Sequence, residues 1–414
     1  MEGYIADWFN LLFRWLHLIT GAAWIGASFY FNWLNHSLRS PTRQEHLDEG
    51  ISGELFAVHG GHFYQVNKYQ GAPAQLPETL HWFKWEAYFT WITGVSLIVI
   101  VYYLNARTFL IDPSVMAWEE VWQPIALSVG ALTGGWLTYD LLCKSPLGRK
   151  PVPFFAVAFT LMSLAAYGLT QVFAARAAYL HVGAMIGTIM AANVFFVIIP
   201  NQRKMVDAMM AGQTPDTTLG DAGAQRSLHN NYFTLPVLFI MVSNHFPMTY
   251  GHSAGWAILA ALSLIGAGAR HHFNLKHKGH QSVWILPTAA LAMFALAFVS
   301  RPTPPAPLAG EASAPSLTYS DIKPIIEKHC TSCHRPHPVN PLWPQPNPPK
   351  GVNLTEPALV KAHAPQIMAQ AVTAKIMPLA NQTGMTDEER QKLGRWIVGG
   401  AKLDEMSPSV EETP

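Results

Sequence analysis

Apolar stretches separated by short polar segments occupy the first three hundred residues of the chain. A helix needs about 20 mainly apolar residues to cross a bilayer, and eight stretches approach or exceed that length. They lie at about residues 9–34, 82–104, 122–143, 153–173, 178–200, 232–247, 254–270 and 283–300. The sixth is short and contains Pro236, so we expect it to pack within a bundle of the others. The pattern predicts an all-α fold, a polytopic helical membrane bundle of about eight spans over residues 1–300.

The rest of the chain has a different pattern. Residues 301–315 (RPTPPAPLAGEASAP) are rich in Pro and Ala and predict a semi-extended linker. Residues 316–414 are more polar and predict a separate domain. Two helices are expected there. Residues 320–329 place Ile322, Ile325 and Ile326 on one face, and a Thr386-x-x-Glu389 capping box opens a last helix that ends before Gly399.

Composition supports a membrane protein. The chain is 50% hydrophobic and only 13% charged, whereas soluble domains carry about 25% charged residues. The formal net charge of +1 gives no indication of a nucleic-acid partner. The lipid bilayer is therefore the first expected partner.

Basic residues indicate the orientation of the bundle. Alternate loops hold most of the Lys and Arg residues, namely Arg39, Arg43, Lys68, Lys144, Arg149, Lys150, Arg203, Lys204, Arg226, Arg270, Lys276 and Lys278. The opposite loops hold only Arg107 and Arg176. Because loops rich in Lys and Arg stay in the cytoplasm, we expect an inner-membrane protein whose N-terminus and C-terminal domain are both periplasmic.

Cys330-Thr331-Ser332-Cys333-His334 is the attachment sequence of a c-type haem. Its two thiols bind the haem covalently, and the imidazole of His334 becomes an axial ligand of the iron. A zinc half-site would need a second ligand pair, and a thioredoxin-like pair would follow a strand; the surrounding sequence offers neither. Attachment on the periplasmic face agrees with the orientation expected from the charges.

The second axial ligand is expected from the C-terminal part of this domain. The domain resembles small class I cytochromes c, in which a methionine in a Met-Pro context precedes the last helix. Met377-Pro378 matches that placement; Met385 competes but adjoins the helix cap, and we expect Met368 to be a packing residue. His/Met ligation raises the reduction potential and leaves no open position on the iron. The domain is therefore expected to carry electrons.

Polar groups inside the predicted spans are candidates for function, because they are costly in a bilayer. Near the outer face lie Arg14, His17, His181 and His245. Each histidine taken singly is as readily a packing residue. Two at equal depth on facing helices could hold a b-type haem, with His17 and His181 as the preferred pair and His245 as the alternate. Other polar clusters, including His229-Asn230-Asn231 and Arg270-His271-His272-Phe273-Asn274, lie near the inner face.

Three segments carry a family resemblance: Phe56 to Tyr64 (FAVHGGHFY), Arg226 to Pro236 (RSLHNNYFTLP) and Val242 to Pro247 (VSNHFP). With the haem motif, they resemble membrane-bound bacterial urate oxidases (urate hydroxylases), which fuse eight spans to a cytochrome c domain. The resemblance covers essentially the whole chain. It implies conversion of urate to 5-hydroxyisourate, with electrons passing through the c haem to an external acceptor, such as soluble cytochrome c or a terminal oxidase, without hydrogen peroxide.

Urate is a planar anion, so its site needs fixed donors, a flat apolar slot and a base. Arg14, His229 and Asn230 are the candidate catalytic residues. They come from opposite faces of the predicted bundle, and the pattern does not choose between those faces. Two other functions remain open: a non-catalytic subunit that passes quinol electrons to the c haem, and a haem-biosynthetic oxidase, suggested only by the first span.

Overall fold

The computed structural model describes residues 2–280, 282–301, 317–341, 343 and 346–404. Long helices occupy all eight predicted apolar stretches. They are α1 (Glu2–Ser37), α2 (Trp85–Ile98), α3 (Trp122–Lys144), α4 (Pro151–Thr170), α5 (Ala175–Ala192), α6 (Thr217–Ser243), α7 (Gly255–His277) and α8 (Ile285–Val299). Helix α2 continues as a π-helical segment, Val99–Tyr103, and α5 continues through another, Asn193–Ile198, into Ile199–Met210. Except for Arg301, the predicted linker lies outside the described residues.

Four helical segments in the described part of the chain are long and apolar enough to cross a membrane: Trp85–Tyr103, Trp122–Lys144, Pro151–Thr170 and Ala175–Met210. Helix α8 is apolar but has only 15 residues. The fold is thus mostly helical and suited to a membrane, and the full count of eight spans stays a prediction. Of the apolar window in Ala175–Met210, 61% is buried, against 17–22% in the other three. Helix α5 is therefore the centre of the bundle.

A β-hairpin interrupts the helical pattern after α1. Strands β1 (Ile51–His59) and β2 (His62–Tyr69) pair antiparallel and join through Gly60-Gly61. Both glycines have positive φ, 60° and 78°, as a two-residue hairpin turn of this hand requires. The all-α prediction was wrong here, because it did not take account of the Gly60-Gly61 turn. His59 and His62 are exposed at the tip of the hairpin.

Helix α6 holds the bundle together through polar contacts on its N-terminal half. The Arg226 guanidinium, only 3% exposed, donates to the Asp140 carboxylate of α3 at 2.8 Å and to the Asn193 amide oxygen at 3.4 Å. Lys144 pairs with the other oxygen of Asp140 at 2.6 Å from an exposed position. A buried ion pair satisfied by further hydrogen bonds is stable, but either charge alone would be costly.

Residues 317–403 form a unit with its own core. Helix α9 (Tyr319–His329) buries Ile322, Ile325 and Ile326 against Leu393 and Trp396 of α10 (Asp387–Val398). Reciprocal hydrogen bonds between Thr386 and Glu389 open α10, and Gly399 follows its last residue. The predicted capping box, helix ends and apolar faces are confirmed. Between the two helices, Pro357–Ala362 and Ala364–Ile367 are helical and lead into a π-helical turn, Met368–Thr373.

The Asp140–Arg226 pair gives a first test. Asp140→Asn leaves the buried Arg226 guanidinium without its counter-ion, so we expect a loss of about 3–5 kcal/mol in the free energy of unfolding. Lys144→Gln removes the exposed partner of the same carboxylate and should cost less than about 1 kcal/mol. Denaturant titration in detergent micelles measures both. Equal losses from the two variants would show that the buried pair has no special role.

Candidate functional site

A cavity of about 440 Å³ lies between the C-terminal halves of α1 and α7. We call it the inner pocket, because both halves lie toward the face predicted to be cytoplasmic. Its lining residues are mostly aromatic: Phe29, Tyr30, Trp33, Arg270, Phe273 and His277. On each helix the main lining positions are three or four residues apart, and such positions share one face of a helix. The pocket thus combines flat apolar walls with one cation and one imidazole.

Arg270 is the centre of this pocket. Its Cζ lies 4.1 Å from the centroid of the Phe29 ring, a cation–π contact. Its Nε donates to the amide oxygen of Asn231 on α6 at 2.8 Å. The side chain is 5% exposed, and its Nη2 is buried without a hydrogen-bond partner. The Nε edge of the guanidinium is therefore held by Asn231, whereas the N–H groups of Nη2 can still donate hydrogen bonds to a ligand.

Several more polar atoms around Arg270 are buried and unpartnered. They are Nδ2 of Asn231, both amide atoms of Asn274 and Nδ1 of His277. Asn231 and Asn274 are 0% and 4% exposed. Leaving a buried polar group without a hydrogen bond costs about 1–3 kcal/mol. Several unpartnered polar atoms close together therefore indicate a binding place for a polar ligand or for water. Together these atoms can meet a planar molecule that carries negative charge, N–H groups and carbonyl oxygens.

The predicted catalytic residues on α6 lie on another face of that helix. His229 Nδ1 lies 2.8 Å from the Tyr139 hydroxyl, and its ring stacks on Phe154 with centroids 4.6 Å apart. Asn230 accepts from Asn193 at 2.9 Å and donates to the Met190 carbonyl at 3.0 Å. These contacts place His229 against α3 and α4 and Asn230 against α5, and neither side chain lines the inner pocket.

The third predicted catalytic residue, Arg14, is exposed on the N-terminal half of α1 and donates to Asn10 at 2.6 Å. Within the described residues, no hydrogen bond or ion pair joins Arg14 to His229 or Asn230. The structure therefore does not bring the three together. Asn231, Arg270 and Asn274 were not predicted as site residues from the sequence, although the polar character of the Arg270 to Asn274 segment was noted. An arginine within an apolar helix is the feature that could have identified it.

The predicted membrane-haem ligands have different neighbours. His17 Nδ1 contacts the Thr90 carbonyl at 3.0 Å and the Thr93 hydroxyl at 3.1 Å, both on α2. His181, 1% exposed, contacts its own helix at the Ala177 carbonyl at 2.7 Å, and its Nε2 is buried without a partner. Engagement of Nδ1 leaves Nε2 for a ligand in both residues, which suits binding to iron.

Aromatic side chains complete the His181 environment, since its ring lies 4.9 Å from Phe173 and 5.7 Å from Tyr102. His245, the alternate ligand, is exposed in the turn after α6. The chemistry of His17 and His181 thus fits haem ligands, but no contact in the described residues joins the two rings. A shared haem at this pair stays a prediction.

The C-terminal motif follows α9 directly. His334 Nδ1 contacts the Val352 carbonyl at 3.1 Å, so its Nε2 is left for iron. Cys330 and Cys333 are free thiols, as attachment to a haem requires. Met377 is partly exposed at the edge of the core, whereas Met385 is 3% exposed within it. The donor set therefore fits a c-type haem, and Met377 as its second ligand stays a prediction.

The alternative zinc site finds no support here. In the described part of the chain, no group of three or more His, Cys, Asp and Glu side chains is arranged to hold a metal ion. Cys143 is buried, with its sulfur 3.8 Å from His229 Nδ1.

Comparison with known proteins identifies the N-terminal part. The family described as urate oxidase N-terminal matches residues 3–301, which include the eight long helices, the hairpin and the inner pocket. No curated protein and no solved structure matches the chain. The family match covers well over half of the sequence, so the chain belongs to the urate oxidase N-terminal family and is a urate oxidase-related protein with a urate-related oxidative function.

Proposed function

We propose that this chain is a membrane oxidoreductase that converts urate to 5-hydroxyisourate at the inner pocket. It passes the electrons to a c-type haem in its C-terminal unit, and from there to an external acceptor such as soluble cytochrome c or a terminal oxidase. The observation that carries the proposal is the buried Arg270, which has a free donor in an aromatic pocket within the region matched by the family.

The pocket suits urate as a ligand. Urate is a flat anion at neutral pH, with N–H donors and carbonyl acceptors along its edges. The free Nη2 of Arg270 offers a charge-assisted hydrogen bond. The amide of Asn231 offers a donor, and that of Asn274 offers a donor and an acceptor. Tyr30, Trp33 and Phe273 provide the ring surfaces on which a purine can stack.

The reaction balances as urate plus water giving 5-hydroxyisourate, two protons and two electrons. Loss of two electrons makes C5 electrophilic, and water oxygen then bonds to that carbon. His277 is our candidate for the group that accepts a proton, because its unpartnered Nδ1 lies at the pocket. Burial and the neighbouring positive charge of Arg270 lower the pKa of His277 below its ordinary value, so the imidazole is neutral at pH 7 and able to act as a base.

The C-terminal unit would hold the electron carrier. Cys330 and Cys333 would attach the haem, with His334 and Met377 as axial ligands. When bound, this group accepts electrons one at a time. With His334 and Met377 both bound to it, the iron would have no free coordination position for oxygen, which agrees with a reaction that forms no hydrogen peroxide.

We further propose the eight-span topology and an inner-membrane location, with the N-terminus and the C-terminal unit in the periplasm. The distribution of Lys and Arg over the loops supports this orientation. The inner pocket then opens toward the cytoplasm, the opposite face from the C-terminal unit. A b-type haem on His17 or His181 would shorten the transfer between them, and it would be seen as residual haem after removal of residues 301–414.

The main test adds urate anaerobically to the purified protein and follows reduction of the c haem by its absorption. We expect rapid reduction by urate. In Arg270→Gln, loss of a charged hydrogen bond worth about 1.5–3 kcal/mol should weaken urate binding roughly 10- to 100-fold. Arg203→Gln is a matched control, since Arg203 lies over the Trp82 ring on the same predicted face but is exposed. Reduction by a quinol analogue and not by urate would favour the quinol-linked alternative.

A second test concerns the axial ligand. Met377→Ala should lower the reduction potential of the c haem, because a thioether ligand raises it. Met385→Leu keeps an apolar side chain of similar size in the core and should leave the potential unchanged. Potentiometric titration of the haem band measures both. An unshifted potential in Met377→Ala, or an equal shift in Met385→Leu, would exclude Met377 as the ligand.

A further inference from the structure

The C-terminal unit rests on loops of the helical bundle through residues 368–382, and we call residues 374–382 the docking segment. Ala374 touches the turn between α6 and α7, where a Cβ added at Gly251 would lie 2.5 Å from the Ala374 Cβ and 2.7 Å from its carbonyl oxygen. Only glycine allows the two backbones to approach so closely. The next residues of the segment continue this contact along the bundle.

Two further contacts extend along the docking segment. Ile376 packs against the core cluster of the bundle, to which Tyr102, Tyr179 and Tyr250 belong. The turn Leu379–Asn381 lies on the short helix Ala106–Phe109. Gln382 lines a cavity of about 380 Å³ together with Arg107 and Trp118. The loops so contacted are the ones predicted to lie on the same side of the membrane as the C-terminal unit.

The docking segment is also held from within its own unit. The buried Arg390 guanidinium of α10 donates to the Met377 carbonyl at 2.6 Å, to the Asn381 amide oxygen at 3.1 Å and to the Ala371 carbonyl. Arg390 interacts electrostatically with Asp112 of the bundle as well. Met377 thus lies in a segment fixed on one side by Arg390 and placed against the bundle on the other.

The bundle side of the contact is equally well fixed. Tyr250 is 4% exposed, and its ring meets that of Tyr179 edge to face at 6.0 Å. The Tyr179 hydroxyl donates to the carbonyls of Thr249 and Gly255 at 3.2 and 2.5 Å. The turn that carries Gly251 is therefore tied to α5, the central helix.

We propose that this contact is the electron-transfer interface between the two parts of the chain: electrons reach the c haem from the bundle on its Met377 side, through the docked arrangement. The direction of transfer rests on the proposed function, whereas the contact itself does not.

Cross-linking tests the contact without urate. A protease site is placed in the linker, and cysteines are introduced by Gly251→Cys and Ala374→Cys. A disulfide needs Cβ atoms about 3.5–4.5 Å apart, so the backbones need to separate by only about 1 Å. After oxidation and cleavage, we expect the two fragments to stay joined on a non-reducing gel. The control pair Gly251→Cys with His337→Cys, which shares the same native cysteines, should separate. Separation of the first pair, or equal joining of the control, overturns the proposal.

The rate of haem reduction tests the role of the contact. The cross-linked protein should be reduced by urate as fast as the same protein before oxidation. Normal urate binding with abolished reduction would show that the unit must leave this position, and would overturn the proposal.

A variant that separates the two backbones tests the role of the contact independently of the cross-link. Gly251→Leu forces the backbones apart and should slow haem reduction by urate about 10- to 100-fold, since small displacements of reacting groups have effects of that size. Urate affinity and reduction of the haem by dithionite should not change. Gly168→Leu is the control, because a Cβ there meets only open space at the same end of the bundle. An unchanged rate in Gly251→Leu contradicts the proposal. Failure of urate to reduce the unmodified protein contradicts only the proposed function, because the cross-link still decides the contact.

Discussion

The arrangement of the bundle depends on finding partners for the polar side chains of α6. Arg226, Asn230 and Asn231 lie within two turns of α6, and all three side chains are buried. Polar groups in such an interior are costly unless hydrogen-bonded. Arg226 and Asn230 satisfy this demand through Asp140 of α3 and Asn193 beside α5, and Asn231 does so in part through Arg270 of α7. These contacts fix the relative positions of four helices.

The same constraint separates structural polar groups from functional ones. On the side facing α3 and α5, Arg226 has a counter-ion and Asn230 uses both its amide atoms. On the side facing α7, only one edge of Arg270 and one atom of Asn231 are used. The unpartnered atoms on the α7 side are the basis for proposing a ligand site there. His229 and Asn230 contact other helices on the opposite side of α6, and their catalytic role stays a prediction.

Much of the fold could be predicted from periodicity and from local rules. The eight apolar stretches, the helix ends around Thr386 and Gly399, and the apolar faces of α9 and α10 all depend on residues close together in the chain. The hairpin could have been predicted too, since Gly60-Gly61 between runs of β-forming residues is a strong turn pattern.

The candidate site was less predictable, because it depends on which neighbouring helix each side chain of α6 faces. Asn230 and Asn231 are neighbours in sequence, but about 100° apart around the helix. Asn230 contacts Asn193 and Met190 on one side of α6, whereas Asn231 contacts Arg270 of α7 on the other, and only the position of α7 determines this difference. The pocket itself joins α1 to α7, more than two hundred residues apart, so no local pattern could reveal it. The haem motif, by contrast, is contiguous and was recognisable at once.

The distance between the inner pocket and the docking segment has an energetic consequence. Under the proposed topology, each turnover moves two negative charges outward across the bilayer, while the protons are released on the inner side. A membrane potential that is negative inside favours this movement by about 2.3 kcal/mol per charge for every 100 mV. Urate oxidation would therefore dissipate part of the membrane potential, and a larger inside-negative potential would favour the reaction.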